Sequence, residues 1–389
     1  MKREFHMATP EEIKDLQVVD VYFPRSVEIL KAAGIRRQVV AEVTASSFPD
    51  DYRWAVLAGV DELANLMAGA DCRVHAMPEG TVFRLGEPVV RLEGEYTAFA
   101  EYETAMLGLL CQASGVATKA ARCRLAAGDR QLISFGARRM HPGLAPMIDR
   151  SAYVGGCDGV AVVLSARLLG LEPVGTMPHA LILTVGDPPV AFQLFHRYVP
   201  ADVPRVCLVD TLYDEKTEAV RAAESLGQAL AAVRLDTPSS RRGDMREILA
   251  EVRWELDARG RSDVGLFLSG GVDEQEILRT RDLVVGYGVG TSIASAPVIN
   301  FALDIVEVDG KPFAKRGKRG GAKQVFRCLQ CQTGRVQLVG QPAPACPQCG
   351  EEMPPLLVPL IDAGRLVGSL PPPEDIRARV LKQLARLTL

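Results

Sequence analysis

Four cysteines near the C-terminus are spaced as ligands for one metal ion. They form two Cys-x-x-Cys pairs, Cys328 with Cys331 and Cys346 with Cys349, and fourteen residues separate the pairs. Each pair presents two thiolates to one ion, so the spacing predicts a tetrahedral four-cysteine zinc site. A redox dithiol is the alternative, although it is typical of a single pair at the start of a helix. Because four thiolates leave no open coordination position, we expect the zinc ion to be structural.

Polar residues and glycines follow a series of short apolar runs between residues 130 and 300. The runs predict strands at residues 131–135, 155–163, 174–176, 206–209, 232–235, 264–268 and 283–286. With helices between most of them, about seven strand–helix units indicate a parallel sheet and favour a barrel. Parallel barrels carry their active sites at the carboxyl ends of the strands. The residues at or just beyond these ends are Arg138, Arg139, His179, Asp210, Asp236, Ser269, Gly270, Gly271, Gly290 and Thr291.

Two glycine-rich strand ends predict a phosphate-binding site. Ser269-Gly270-Gly271 and Gly288-Val289-Gly290-Thr291 fall on consecutive units of the predicted barrel. The last loops of a barrel commonly bind phosphate through free backbone N–H groups and a helix N-terminus. Simple tight turns are the alternative interpretation.

Two acidic residues end neighbouring strands beside these loops. Asp210 and Asp236 are typical of groups that orient ribose hydroxyls or hold a Mg²⁺ ion that bridges to phosphate. Each could instead be a helix N-cap. Arg234 lies two residues before Asp236, so both side chains share one face of their strand.

His179 is the histidine with the strongest claim to chemistry. It follows Pro178 directly after a predicted strand. A single histidine is more often a packed or surface residue than a catalyst, and His141 has a similar claim by position. Arg241 and Arg242 could add phosphate contacts or face solvent.

The composition places these motifs in a globular protein. With 389 residues, 48% apolar and 24% charged, the chain can bury cores for two or three domains, which excludes disordered and collagen-like classes. The net charge of −3 and the aromatic content of 6% argue against a nucleic-acid-binding surface. The basic run at residues 311–327 is typical of a solvated loop, while a flap over phosphates and a nucleic-acid patch are alternatives.

Nothing at the start of the sequence is typical of a secretory signal, because no apolar core follows the first residues. The uncharged stretch at residues 283–303 contains glycines, a proline and an asparagine. This composition indicates a buried strand and a glycine-rich loop rather than a membrane span. We therefore expect a cytoplasmic protein without membrane or nucleic-acid partners.

The elements predict an α/β protein with three parts. Residues 1–118 form an N-terminal α/β domain that ends in a helix at residues 102–118. Residues 119–305 form an incomplete β/α barrel of about seven strands. Residues 306–389 hold the basic loop, the zinc knuckle and an amphipathic C-terminal helix at residues 373–387.

Several segments, taken in order, resemble nicotinate phosphoribosyltransferases of the short archaeal and bacterial form with an appended zinc knuckle. The resemblance is carried by residues 20–23, 134–139, 148–153, 175–179, 234–240 and 268–271 and by the four paired cysteines. It implies a reaction that joins nicotinate to phosphoribosyl pyrophosphate and yields pyrophosphate and nicotinate mononucleotide, an NAD precursor. It also implies ATP hydrolysis coupled through a phosphorylated histidine, Mg²⁺ at the pyrophosphate, and a homo-oligomer with active sites at subunit interfaces.

The resemblance also implies residue roles. His179 matches the phosphohistidine, and Thr176 lies beside it in the ligand loop. The nicotinate ring would lie between Phe135 and a neighbouring subunit's tyrosine that matches Tyr22. Arg234 would meet the substrate carboxylate or the ribosyl phosphates, with Arg138 and Arg139 also in the substrate site. The expected contacts to phosphoribosyl pyrophosphate are Asp210, Asp236, Ser239, Ser269, Gly270, Gly271, Gly290 and Thr291.

Two other functions compete with this hypothesis. A quinolinate phosphoribosyltransferase shares the barrel but decarboxylates its substrate without ATP, and Phe135 and His179 argue against it. A zinc-ribbon module that binds nucleic acid would use the knuckle and the basic run. The low aromatic content and the polar strand ends argue against that module.

Overall fold

The structure, a computed structural model, describes residues 3–241 and 243–389. Arg242, considered above as a phosphate contact, lies outside the described residues. The described chain divides into two compact units. The first consists of the residues up to Thr118 together with Pro297–Thr388, and the second consists of Lys119–Ala296. The three-part division made from the sequence stays a prediction.

Helices and strands alternate along most of the described chain. The helices are α1 (Pro10–Lys14), α2 (Tyr22–Ala32), α3 (Val60–Met67), α4 (Glu103–Ala127), α5 (Ala145–Val154), α6 (Val163–Leu169), α7 (His179–Val185), α8 (Pro188–Tyr198), α9 (Glu215–Leu226), α10 (Met245–Ala258), α11 (Glu274–Thr280), α12 (Thr291–Ala294) and α13 (Pro373–Leu384). The strands are β1 (Gln38–Ser47), β2 (Ala55–Val56), β3 (Cys72–Ala76), β4 (Val82–Phe83), β5 (Pro88–Glu95), β6 (Gln131–Ser134), β7 (Gly159–Val160), β8 (Arg205–Leu208), β9 (Leu230–Leu235), β10 (Gly265–Ser269), β11 (Gly286–Val289), β12 (Asn300–Val308), β13 (Lys311–Pro312), β14 (Lys323–Arg327), β15 (Gly334–Leu338), β16 (Val358–Asp362) and β17 (Arg365–Leu366).

The first unit is built on a seven-stranded sheet in the order β13-β12-β1-β5-β3-β16-β17. Its paired strands are antiparallel, and β1 pairs with β12 through a long register that joins distant parts of the sequence. Phe83, Leu92 and Phe99 lie in its core, where each is at most 1% exposed. The C-terminal helix α13 docks on the same unit, where the Gln383 side chain accepts from the Val82 N–H and donates to the Gly80 carbonyl.

The second unit contains six parallel strands in the order β7-β6-β11-β10-β9-β8. Leu208, Val233, Leu268 and Val289 are fully buried in this sheet, as expected for parallel strands covered on both faces. The sheet curls as an incomplete barrel, and the four cysteines cluster in the first unit. The predicted α/β fold class is therefore confirmed.

Three predicted strands differ from the structure. The strand predicted at residues 155–163 is reduced to β7, Gly159–Val160, and α6 begins at Val163. The segment at residues 174–176 is not a strand, and a single strand-like hydrogen bond joins the Val174 N–H to the Val160 carbonyl at 2.9 Å. Pro173 and Pro178 flank this segment and cannot donate to a ladder. The last predicted strand begins three residues later, at Gly286, because the preceding residues complete a turn after α11.

No helix among residues 3–241 and 243–389 is both long enough and apolar enough to span a membrane. The uncharged stretch at residues 283–303 forms β11, α12 and the first residues of β12. Its interpretation as a buried strand with a glycine-rich loop is confirmed.

Candidate active site

Asp210 and Asp236 lie next to each other at the carboxyl ends of β8 and β9. The Asp210 Oδ2 atom accepts the Asp236 N–H at 2.7 Å and the Thr237 hydroxyl at 3.2 Å. The Asp236 Oδ1 atom accepts the Ser269 hydroxyl at 2.9 Å, which links these acids to the end of β10. Neither acid is a helix N-cap, because Asp214 caps α9 and Asp244 caps α10. The strand ends therefore form one hydrogen-bonded cluster of polar side chains.

His179 is the first residue of α7, and its ring faces the two acids. The Nε2 atom lies 3.6 Å from Asp236 Oδ2 and 3.8 Å from Asp210 Oδ1. The Nδ1 atom lies 3.1 Å from the Thr211 hydroxyl oxygen. The side chain is 38% exposed, so the ring is both held by neighbours and open to a ligand. The His179 ring therefore contacts both strand-end acids and Thr211 while part of it stays exposed.

Two buried polar atoms in the cluster have no hydrogen-bond partner in the described part of the chain, Asp210 Oδ1 and Arg234 Nε. Burial raises the pKa of the Asp210 carboxyl to about 6, against the opposing hydrogen bond from the Asp236 N–H. Burial also lowers the pKa of the Arg234 guanidinium. Buried polar atoms are nearly always paired in native proteins, so these two atoms are available to a ligand that enters the cluster.

Arg234 and Phe135 place a cation beside a flat aromatic ring. The Arg234 Cζ atom lies 6.0 Å from the centroid of the Phe135 ring and its Nη2 atom lies 3.8 Å from Asp236 Oδ2. Phe135 follows β6, and its ring packs directly against the backbone of Gly288. A Cβ at this position would lie only 2.3 Å from the ring, so the packing requires glycine. The arrangement suits a planar ligand that carries a negative group.

The glycine-rich loop after β10 packs directly on Asp236. Gly270 and Gly271 have φ angles of +80° and +72°, which other residues rarely adopt. A Cβ at Gly270 would lie 2.9 Å from both the carbonyl oxygen and Oδ1 of Asp236. Gly290 and Thr291 lie between β11 and α12, on the neighbouring strand. The two predicted phosphate loops are thus adjacent, and one of them contacts the acid cluster.

Other predicted site residues take peripheral positions in the second unit. Arg138 and Arg139 are exposed in a short 3-10 turn after Phe135, and Arg138 is near enough to act electrostatically on Arg234. Thr176 is half-buried in the loop before His179, while Ser239 is exposed after β9. None of these four residues takes part in the hydrogen bonds that join His179, Asp210, Asp236 and Ser269 to their neighbours.

Tyr22 belongs to the first unit and begins α2. Its side chain is 57% exposed, and its hydroxyl donates to Asp20 Oδ2 at 3.2 Å. The same Asp20 oxygen accepts the Thr104 hydroxyl at 3.1 Å. Tyr22 is therefore an exposed aromatic side chain whose hydroxyl is held in place.

The sequence interpretation missed three residues that support the cluster. Thr211 contacts His179, Thr237 donates to Asp210, and Glu218 binds the backbone of the loop after β8. Thr211 and Thr237 directly follow the predicted strand-end acids, so their position was a usable signal. Glu218 lies within helix α9, where an acidic residue gives no sign of such a role.

The four predicted cysteine ligands lie together in the first unit. Their sulfur atoms are all within 4.8 Å of one another. The backbone N–H of Cys331 points to the Cys328 sulfur at 3.3 Å, as in a turn that prepares a thiolate for a metal. The cluster can hold one metal ion.

The basic run at residues 311–327 is partly paired within the first unit. Lys315 and Lys318 bind the Asp304 carboxylate at 2.6 Å and 2.8 Å. Lys323 binds Glu42 at 2.9 Å, and Glu42 is almost fully buried. The segment therefore begins in β13, ends in β14 and is held by acidic partners, and only the part between these strands is a loop.

Comparisons with known proteins agree with this architecture. Residues 20–114 match the family model described as quinolinate phosphoribosyl transferase, N-terminal domain, and residues 116–304 match the model of its C-terminal domain. The nicotinate phosphoribosyltransferase pncB2 of Mycobacterium tuberculosis is 33% identical over 389 residues, covering 94% of this chain and 81% of the relative.

Solved structures extend the similarity. The crystal structure of nicotinate-nucleotide pyrophosphorylase from Pyrococcus furiosus is 51% identical and covers 100% of both chains with a TM-score of 0.98. Human nicotinic acid phosphoribosyltransferase is 22% identical and covers 95% of this chain and 94% of its own, with a TM-score of 0.78. At this sequence identity, the similarity to the human protein shows a shared fold only.

Proposed function

This chain belongs to the nicotinate phosphoribosyltransferase family, and we propose that it joins nicotinate to phosphoribosyl pyrophosphate with ATP hydrolysis coupled through His179. As a phosphoribosyltransferase, it needs a site that binds an acceptor ring and a phosphorylated sugar together. The observation that carries the proposal is the contact of His179 with Asp210 and Asp236 beside the Arg234–Phe135 pair. The products would be nicotinate mononucleotide, which serves NAD synthesis, and pyrophosphate.

The Phe135 ring and Arg234 support binding of nicotinate. A pyridine ring stacked on Phe135 would bring its carboxylate toward the guanidinium, whose Nε has no partner within the described residues. Arg138 and Arg139 would add positive charge at the outer edge of this slot, and Thr176, in the loop before His179, would also contact the substrate. Planar ring contacts together with a guanidinium–carboxylate pair fix both position and orientation.

The glycine loops support binding of the sugar phosphate. Ser269, Gly270 and Gly271 would present backbone N–H groups to the 5′-phosphate, with Gly290 and Thr291 on the next strand. Ser239 follows Asp236 and would extend this surface. Transfer through an oxocarbenium-like state depends mostly on positioning and charge, so these residues need supply no nucleophile.

Asp210 and Asp236 have the donor atoms that Mg²⁺ prefers. Carboxylate oxygens are the usual protein ligands of this ion, and Asp210 Oδ1 is buried without a partner in the described chain. When bound, Mg²⁺ would neutralise charge on the pyrophosphate group. The two acids would also accept hydrogen bonds from ribose hydroxyls.

His179 has the chemistry and the support of a phosphoryl acceptor. A neutral imidazole is nucleophilic near pH 7, and the Thr211 contact restricts the rotation of the ring. Phosphorylation would form a bond between one ring nitrogen and the γ-phosphorus of ATP as the bond to ADP breaks. Hydrolysis of that phosphohistidine would return the ring to its starting state.

The proposed reaction is tested by product analysis with matched substrates. The protein is incubated with phosphoribosyl pyrophosphate and either nicotinate or quinolinate, with and without ATP. We expect nicotinate mononucleotide and pyrophosphate from nicotinate, formed faster with ATP, and no carbon dioxide from quinolinate. Release of carbon dioxide from quinolinate without ATP would overturn the proposal in favour of the quinolinate-type activity.

We further propose self-association in which Tyr22 completes the nicotinate slot of a neighbouring copy. The exposed ring of Tyr22, with its hydroxyl held by Asp20, suits stacking against a ligand outside its own unit. At a nicotinate concentration near the wild-type KM, mixing Tyr22→Ala with Arg234→Ala should restore activity that neither variant has alone. Random pairing in a two-fold dimer predicts about a quarter of wild-type activity. Absence of recovery after verified subunit exchange would show that each chain builds its own slot.

We propose that the four cysteines hold a structural Zn²⁺ ion. Four thiolates match the preference of zinc, and structural zinc sites in peptides contribute on the order of 10 kcal/mol to folding. The first cysteine pair is tied to the chain just beyond α13, because the Arg386 guanidinium donates to the carbonyls of Leu329 and Gln330. Zinc at this position would therefore stabilise both the knuckle and the docking of the C-terminal helix.

Cys346→Ser should release the zinc ion and make residues from 323 onward sensitive to protease. The parallel sheet should stay folded, because its core lies in the other unit. Metal analysis and limited proteolysis measure the two effects, with Cys111→Ser, a lone cysteine of α4, as the matched control. Purified wild-type protein without zinc would contradict the proposal.

A further inference from the structure

Glu218 is a fully buried carboxylate that binds three successive backbone N–H groups. Its Oε2 atom accepts the Thr211 N–H at 3.1 Å, and its Oε1 atom accepts the N–H groups of Leu212 at 2.7 Å and Tyr213 at 2.9 Å. A buried charge is costly unless it is fully hydrogen-bonded, and these three donors satisfy it. Glu218 thus fixes the backbone of the loop that follows β8.

This loop carries the direct partner of His179. The Thr211 hydroxyl lies 3.1 Å from His179 Nδ1, and the Thr211 N–H is one of the three donors to Glu218. Asp210, the preceding residue, is held independently by the Asp236 N–H and the Thr237 hydroxyl. Loss of the Glu218 carboxylate should therefore displace Thr211 more than Asp210.

We infer that Glu218 is a positioning residue that sets the orientation of the His179 ring through Thr211. The inference rests on the proposed function, because it assigns to Glu218 an effect on ATP coupling at His179. The Glu218 carboxylate binds the backbone N–H groups of residues 211–213, so its effect on His179 would be carried by Thr211. Loss of the Glu218 carboxylate should lower the stimulation of transfer by ATP. Loss of a purely structural residue would instead lower the transfer rates with and without ATP in proportion.

The chain offers a matched control at the opposite end of the same strand. Arg205 begins β8, is 8% exposed, and donates to the carbonyls of His196 at 3.0 Å, Val199 at 2.8 Å and Pro200 at 2.7 Å. Like Glu218, it is a buried charged side chain that ties a loop to the sheet by backbone hydrogen bonds. It lies at the amino end of the strand, away from the carboxyl-end cluster.

The experiment measures the ratio of transfer rates with and without ATP, using nicotinate and phosphoribosyl pyrophosphate. Glu218→Gln and Thr211→Val should lower this ratio about tenfold, because a small misplacement of a reacting group costs one to two orders of magnitude. Thr211→Ser, which keeps the hydroxyl, and Arg205→Gln should keep the wild-type ratio. Combining Glu218→Gln with Thr211→Val should lower it no further than either change alone.

An unchanged ratio in Thr211→Val would overturn the inference even if Glu218→Gln fails to fold, because valine has nearly the shape of threonine. A fall of equal size in Arg205→Gln would also overturn it, since that result would indicate a general loss of stability. Wild-type protein that makes no nicotinate mononucleotide would instead refute the proposed function. The two failures are therefore distinguishable.

Discussion

Replacing His179 with alanine is expected to abolish ATP hydrolysis while a slow transfer of the phosphoribosyl group continues. Loss of the phosphoryl acceptor removes the proposed phosphohistidine intermediate, so ATP hydrolysis should fall at least about a thousandfold. Transfer should persist because Phe135, Arg234 and the phosphate loops still align the two reactants. Adding ATP should no longer raise the transfer rate. Steady-state assays of ADP and nicotinate mononucleotide, run in parallel, measure both effects.

His141→Ala is the matched control for this experiment. His141 caps a short turn after β6 through its Nδ1 atom, which accepts the Gly143 N–H at 3.1 Å. Its replacement should leave the ATP effect as in the wild type. If His179 were only packed, its alanine variant would be less stable and would keep ATP stimulation in proportion to its remaining activity.

Arg234→Ala is expected to raise the KM for nicotinate by about a hundredfold or more, because breaking a buried ion pair costs several kcal/mol. The guanidinium lies 6.0 Å from the Phe135 ring and has a buried Nε without a partner in the described residues. Arg234→Lys keeps the charge but loses the planar fork, so its effect should be smaller. Steady-state kinetics with each substrate varied in turn provide the measurement.

The two possible roles of Arg234 predict different kinetics. A raised KM for phosphoribosyl pyrophosphate with an unchanged KM for nicotinate would assign the arginine to the sugar phosphates and contradict the carboxylate role. Arg253→Ala is the control, because Arg253 of α10 donates to the carbonyls of Val264 and Arg261 in the turn before β10. Its loss should lower stability without separating the two KM values.

The sequence predicted the strand-end cluster well because its signal is local. The acids and glycines of the cluster follow short apolar runs, and this order survives small errors in strand length. Asp210 and Asp236 are neighbours in space because β8 and β9 are parallel and paired, which the alternating pattern indicated. The three-residue shift of β11 likewise left Gly290 and Thr291 beyond a strand end.

Features that depend on distant contacts could not be predicted. Residues from 297 onward return to the first unit because β12 pairs with β1, and no local pattern indicates that pairing. The segment at residues 174–176 has strand-like composition, yet the flanking Pro173 and Pro178 have no N–H to donate to a ladder. Glu218 lies in the first turn of a helix, where acidic residues are common for reasons of helix charge alone. Its three backbone contacts depend on how the preceding loop folds.

The central claim, that His179 links ATP to transfer, is tested most directly by locating the phosphoryl group during turnover. Wild-type protein is incubated with γ-labelled ATP, nicotinate and phosphoribosyl pyrophosphate, then quenched in alkali and digested. We predict an acid-labile label on the peptide that contains His179, absent from His179→Ala and present in His141→Ala. Label on another residue, or no label while nicotinate mononucleotide forms with ATP stimulation, would contradict the claim.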